Sequence, residues 1–257
     1  MLVLLSCAKT MSAVSKVKVP LTTIPRFQKE AAEIALQMSQ FSVDELERLL
    51  RVNAKIAVEN YKRYQAFHAE TTPELPALLA YTGIVFKRLN PKDFSAEDFG
   101  YAQEHLRLTS FCYGLLRPLD VIRAYRLEGD VVLPELGNQT LFSYWRSRLT
   151  DTFIEDIRSA GGILCNLASD EMKSLFDWKR VESEVRVVTP EFHVWKNGKL
   201  ATIVVYTKMS RGEMTRFILK NKIGNPEELK GFSWEGFEFD ESLSDERKLV
   251  FINGIGE

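Results

Sequence analysis

Arg107, Arg117, Arg123 and Arg126 fall in one stretch of the chain where Asp120 is the single acid before Glu128. Guanidinium groups hold phosphate or carboxylate through planar, bidentate hydrogen bonds, so such a cluster is suited to an anion. Just ahead of Arg117, Phe111, Tyr113 and Leu115 alternate with Cys112, Gly114 and Leu116 in the pattern of a mostly buried strand, which Arg117 and Pro118 end. Pro118 biases Arg117 towards an extended backbone, so its guanidinium is expected at a strand end, where ligands of α/β proteins bind. Two readings of Arg107, Arg117, Tyr125 and Arg126 stay open on this ground alone. They form an anion site, or they are surface groups paired with Asp120 and Glu128.

Three other constellations could carry chemistry. Ser6, Cys7, Ala8, Lys9 and Thr10 follow the apolar run Leu2–Leu5, and Lys9 there could hold a phosphate or activate a neighbour. Lys208, Arg211, Arg216, Lys220 and Lys222 face one acid, Glu213. A capping box of Ser210 and Glu213 predicts a helix start that puts Lys208 and Arg211 where free amides and the helix dipole also favour an anion. Asn166 and Ser169 precede Asp170 and Glu171 at a second strand-to-helix step, in which the acids repel phosphate. There Asn166 and Ser169 are candidates for orienting a ligand by hydrogen bonds, and Asp170, Glu171 and Lys9 are the candidate catalytic groups. Finally, Pro76–Ala80, the turn Tyr81-Thr82-Gly83 and Ile84–Leu89 read as helix, turn, helix, with Lys87 and Arg88 on the second helix. An ordinary helical turn with glycine gives the same letters.

The elements that must position these groups follow from periodicity. Phe27, Ala31, Ile34, Met38 and Phe41 mark a helix over 26–40, and Ser42 with Glu45 caps a second whose face runs from Leu46 to Ala57. Phe94, Ser95, Asp98 and Phe99 supply a staple and cap for a helix to about Leu106, and Leu141, Trp145, Leu149, Phe153 and Ile157 form a long core stripe. Strands are expected at 2–5, 162–167, 184–188, 193–196, 200–206, 234–239 and 248–252, with Asn197-Gly198 as a hairpin turn. Helices alternate with strands early and strands cluster late. The expected fold is mixed α+β: one domain over 1–257, a mixed sheet surrounded by helices, with a helical insertion about 26–106.

Composition narrows the classes. A formal charge of −1 removes the argument from a strongly basic protein, so any anion partner must use a local patch. Cys7, Cys112 and Cys165 have no CxxC spacing, and His68, His105 and His193 lie far apart, so neither a metal site nor a disulfide framework is expected. The run ending in Cys7 is shorter than the roughly 7 to 15 apolar residues of a signal peptide, and nothing approaches the roughly 20 of a membrane span. A cytoplasmic monomer without a cofactor and without a membrane is expected.

Several of these segments, in order, resemble the YaaA family of bacterial peroxide-stress proteins. Tyr113–Asp120 (YGLLRPLD) with Tyr125–Glu128 (YRLE) is similar to its signature, Leu2–Thr10 (LVLLSCAKT) to its first strand and turn, Asn166–Glu171 (NLASDE) to its central motif, and Lys208–Phe217 (KMSRGEMTRF) to its late basic helix. Cys7 stands where the family usually has proline. The resemblance implies tolerance to hydrogen peroxide, with binding of duplex DNA through a basic cleft and a helix-hairpin-helix element at Thr82, Gly83, Lys87 and Arg88, limiting iron-dependent damage. On that reading Lys9, Arg107, Arg117, Tyr125, Arg126, Asn166, Ser169, Lys208, Arg211 and Arg216 are further phosphate contacts. The alternative is an enzyme acting on a nucleotide, nucleoside or damaged base at a polar strand-end site.

Overall fold

The computed structural model describes residues 1–196 and 198–254. In chain order its strands are β1 (Leu2–Leu5), β2 (Leu75–Pro76), β3 (Leu106–Ser110), β4 (Gly114–Leu116), β5 (Val121–Ile122), β6 (Val132–Leu133), β7 (Gln139–Thr140), β8 (Ile163–Asn166), β9 (Arg186–Lys196), β10 (Lys199–Ala201), β11 (Phe237–Asp240) and β12 (Lys248–Asn253). The helices are α1 (Gln28–Met38), α2 (Val43–Leu50), α3 (Ala54–Ala66), α4 (Ala77–Ala80), α5 (Ile84–Leu89), α6 (Ala96–His105), α7 (Leu141–Ser159), α8 (Asp170–Lys173), α9 (Trp178–Glu184) and α10 (Val204–Asn221).

The main sheet runs β11-β12-β9-β8-β1-β3-β4, with β10 paired to β9. The five strands from β12 through β9, β8 and β1 to β3 are parallel, and β4, β10 and β11 join as antiparallel partners. Every residue of β1 is buried, as an unbroken apolar run predicts for a strand covered on both faces. Each such leucine contributes about 1.5–3 kcal/mol on burial. The chain leaves β1 for β3 on one side and later enters β8 on the other. β1 therefore stands where the winding direction switches, and a crevice opens at the carboxyl ends of β1, β3 and β8.

The mixed α/β single domain, its flanking helices and the core stripe of α7 are as the sequence predicts. Trp145 is fully buried, and its indole Nε1 donates to the Phe111 carbonyl at 2.8 Å. The capping boxes at Ser42/Glu45 and Ser95/Asp98 form. Burial alone would raise the Asp98 pKa, but hydrogen bonds from Lys220, Lys222 and Ser95 hold it well below the usual carboxylate range. Among the described residues no helix is long and apolar enough to cross a membrane.

Five expectations are corrected. The helix expected to run from Ser42 to Ala57 breaks at Arg51, which adopts φ 50° as the C-cap of α2, and Asn53 then caps α3. The strand expected over 111–116 is a hairpin: β3 ends at Ser110, the chain turns, and β4 returns antiparallel from Gly114. Gly114 takes φ +70°, and a Cβ there would stand 2.7 Å from the Trp145 ring. The strands expected at 184–188 and 193–196 are one, β9, while the strand expected over 200–206 stops at Ala201. Consequently α10 begins at Val204, and Ser210 and Glu213 lie inside it rather than capping it. The strands flanking the expected Asn197-Gly198 turn do pair, Lys196 opposite Lys199; Asn197 itself lies outside the described residues.

Candidate functional site

The crevice at the strand ends is a cavity of about 310 Å³. Its floor is the loop after β1. Ser6 Oγ accepts from the Ser169 amide at 2.9 Å, tying the end of β1 to the end of β8, and the Cys7 amide donates to Thr109 Oγ1 on β3 at 3.2 Å. Thr109 in turn donates to Met172 Sδ at 3.0 Å. Gly83, at the start of α5, packs so closely on this loop that an added Cβ would lie 3.0 Å from Ala8 Cβ. Much of the wall is apolar, with Phe86, Phe111, Leu127, Leu167 and Met172 among its residues. The tyrosine of the Tyr125–Leu127 segment is held by a chain of hydroxyls: Tyr125 Oη lies 2.8 Å from Tyr81 Oη and 2.6 Å from Ser110 Oγ.

Charge is divided between two sides of this cavity. On one side buried Glu128 takes both Lys9, at 2.8 Å, and Arg126, at 3.2 Å. On the other, α10 presents Lys208 and Arg211, three residues apart and so on one helix face. Neither side chain has an ion pair or hydrogen bond among the described residues, and Arg211 Nε is buried without a partner. Burial lowers the Arg211 pKa, opposed by the nearby charge of Asp170. Arg211 is half-buried, and a guanidinium nitrogen held from water without a partner carries a desolvation cost, so its natural complement is an anion in the cavity. Glu171 also lines the cavity, its side chain exposed and without a bonded partner among the described residues.

The cavity thus gathers Lys9, Gly83, Tyr125, Arg126, Ser169, Glu171, Lys208 and Arg211 from five separate sequence segments. The other candidates lie elsewhere. Because β4 runs back along β3, Arg117 emerges at the amino end of β3, far from the cavity wall it was expected to form. There it bonds Asp120 at 2.9 Å and the Ile24 carbonyl at 3.2 Å, the bland alternative left open above. Arg107 is a buried partner of Asp156, at 2.6 Å. Asn166 is buried and accepts the Ala168 amide, and Asp170 is exposed and paired with Lys173. Arg216 pairs with Asp93, and Arg88 pairs with Glu213 and stacks over Trp234.

The structure does not confirm the helix-hairpin-helix reading. α4 and α5 are four and six residues long, α4 is wholly buried, and the Thr82 amide, one of the donors that would meet a phosphate, is spent on the Thr10 carbonyl at 3.0 Å. Lys87 is exposed beside a second hollow that Thr82 and Lys92 also line. Reading by motif missed Phe86 and Phe111, which periodicity assigns to the core; no local signal separates a ring that faces a cavity from one that fills a core. Among the described residues no group of three His, Cys, Asp or Glu side chains could hold a metal ion.

Cys7 borders the cavity, and burial pushes its thiol pKa up to about 12, with Glu171 and Glu128 adding to the effect against a hydrogen bond to Thr109. Burial also raises Cys112 and Cys165, the latter to about 12. Since thiolate is the reactive form, alkylation of the native chain near neutral pH is expected to run about three orders of magnitude slower than for an ordinary cysteine. The chain in denaturant should react at all three thiols. Fast native labelling of Cys7 by iodoacetamide, followed by mass spectrometry, would contradict this.

Comparison with known proteins points the same way along the chain. Residues 1–243 match the family described as peroxide stress protein YaaA. The chain is 99% identical to a UPF0246 protein of Bacteroides thetaiotaomicron and 79% identical to one of Bacteroides fragilis, each over all 257 residues of both chains. It is 38% identical to a UPF0246 protein of Crocosphaera subtropica over 253 residues, 98% of this chain and 100% of that one.

Proposed function

We propose, from the premise that this chain belongs to the YaaA family of peroxide stress proteins, that it serves the peroxide response by binding a phosphate-bearing component of nucleic acid in the strand-end cavity. The observation that carries this reading is the partnerless pair Lys208 and Arg211 set against apolar and aromatic walls. A phosphate satisfies the cations, and a base lies against the apolar wall, where aromatic stacking is worth about 1–3 kcal/mol. At about 310 Å³ the cavity is at the small end of ligand sites, which suits a single nucleotide. Such a ligand is either free or one nucleotide of a strand, and an enzymatic step on it is compatible with the nearby carboxylate of Glu171.

A second reading takes duplex DNA as the ligand, shielded from iron-dependent oxidative damage. It is favoured by Lys16, Lys18, Lys87 and Lys92, which are exposed and without ion-pair partners among the described residues. Lys87 and Lys92 border the second hollow. One experiment separates the readings: thermal unfolding and equilibrium binding with nucleoside monophosphates, the matching nucleosides, and a short duplex at several salt concentrations. Mononucleotides are expected to stabilise the chain by about 2.7 kcal/mol at a hundred times Kd, and nucleosides far less. Duplex binding that falls steeply with salt, by a slope of about −0.9 per phosphate contacted, with no mononucleotide binding, would favour DNA and defeat the cavity reading.

A further inference from the structure

One carboxylate lining the cavity has no partner among the described residues. Glu128 is consumed by Lys9 and Arg126, and Asp170 by Lys173, but the Glu171 side chain has neither hydrogen bond nor ion pair among those residues. Its place differs from that of the free cations. Lys208 and Arg211 come from α10, whereas Glu171 is on α8, two residues beyond Ser169, which is tied to the β1 end through Ser6. The electrostatics agree. The charge of Glu171 is felt at Cys7 and Arg51, together with that of Glu128, while the acid felt at Arg211 is Asp170. The cavity is therefore bipolar: unpaired cations on the α10 side, an unpaired acceptor on the β1 side, and apolar walls between.

We propose that Glu171 selects the base, and that the preferred ligand is a guanine nucleotide, its phosphate on Lys208 and Arg211 and its Watson–Crick edge on the Glu171 carboxylate. This rests on the nucleotide reading above and adds the identity of the base. An ionised carboxylate can only accept hydrogen bonds. Guanine is the one common base whose pairing edge offers two adjacent donors, the ring N1–H and the 2-amino group, and these meet both oxygens of a carboxylate at once. Adenine and cytosine place a ring acceptor beside their amino group, so the same carboxylate faces a lone pair and loses one bond. Hypoxanthine keeps the ring N–H and lacks the amino group, so it falls between.

The test is equilibrium binding of GMP, IMP, AMP and CMP to the full chain and to E171Q, each in competition with inorganic phosphate. GMP is expected to bind at least about tenfold more tightly than AMP or CMP, as a bidentate contact to one base edge provides, with IMP between them. An amide offers one acceptor and one donor, which match adenine and cytosine as well as they match guanine, so E171Q is expected to lose the GMP preference. Its thermal midpoint without ligand should stay unchanged, because the Glu171 side chain is exposed and bonds no other described residue. Equal affinity for all four nucleotides, or a GMP preference that survives in E171Q, overturns the assignment while leaving the nucleotide reading intact. Failure of every nucleotide to bind overturns both.

Discussion

Gly212→Ala is expected to destabilise the protein by about 2 kcal/mol, although alanine is the better helix former by about 1 kcal/mol. Gly212 lies in the interior of α10, where it meets α5. A Cβ at that position would stand 2.3 Å from the Val85 carbonyl oxygen and 2.8 Å from Arg88 Cβ. The first of these is backbone and cannot rotate away, so α5 must move, and overpacking of this kind costs about 1–3 kcal/mol or more. Because α5 supplies Ile84 to Phe86 and α10 supplies Lys208 and Arg211, displacement also widens the cavity. Urea denaturation should give a lower midpoint at unchanged slope, and ligand affinity should fall with it. A gain in stability would mean that the two helices slide apart freely, against the packing described.

Arg211→Met is expected to do the reverse for stability and far more damage to binding. The side chain is half-buried, with Nε buried and unbonded, so it brings desolvation cost without return when no anion is bound. Methionine keeps the apolar stem and removes that cost, so thermal stability should hold or rise by about 1 kcal/mol. A phosphate ligand loses a charge-assisted bond worth about 1.5–3 kcal/mol, which at the upper end is roughly a hundredfold in Kd. Lys208→Met should cost less, near tenfold, because Lys208 is exposed and its charge is screened by water. A lowered thermal midpoint with unchanged affinity for phosphate ligands would show that Arg211 is a structural group.

The two variants separate what kinds of residue the sequence makes legible. Amphipathic stripes and capping boxes act over three or four neighbours, so Ser42, Ser95 and the Trp145 stripe could be read directly, and with them the mixed α/β class. The break at Arg51 was not legible, because a left-handed residue that is not glycine carries no compositional mark. Nor was the hairpin at 111–113: its buried turn has the same apolar alternation as a strand, and only the ring of Trp145 against Gly114 dictates the bend.

For the candidate site the division is sharper. By itself the sequence determined which segments carry polar strand-end chemistry, because Lys9, Ser169, Glu171, Lys208 and Arg211 stand beside apolar runs that must become core, and it determined the family to which they belong. Only the tertiary structure decided which cations are free. Arg107, Arg117 and Arg216 looked equal to Arg211 in type and setting, yet each found a carboxylate 49 or more residues away or one across a turn, through contacts set by sheet register and helix packing. An arginine is available to a ligand when no acid of its own chain can reach it. That is a property of distances in the folded molecule, and it is why the cavity's anion side rests on α10 while the arginines that first drew attention serve the fold.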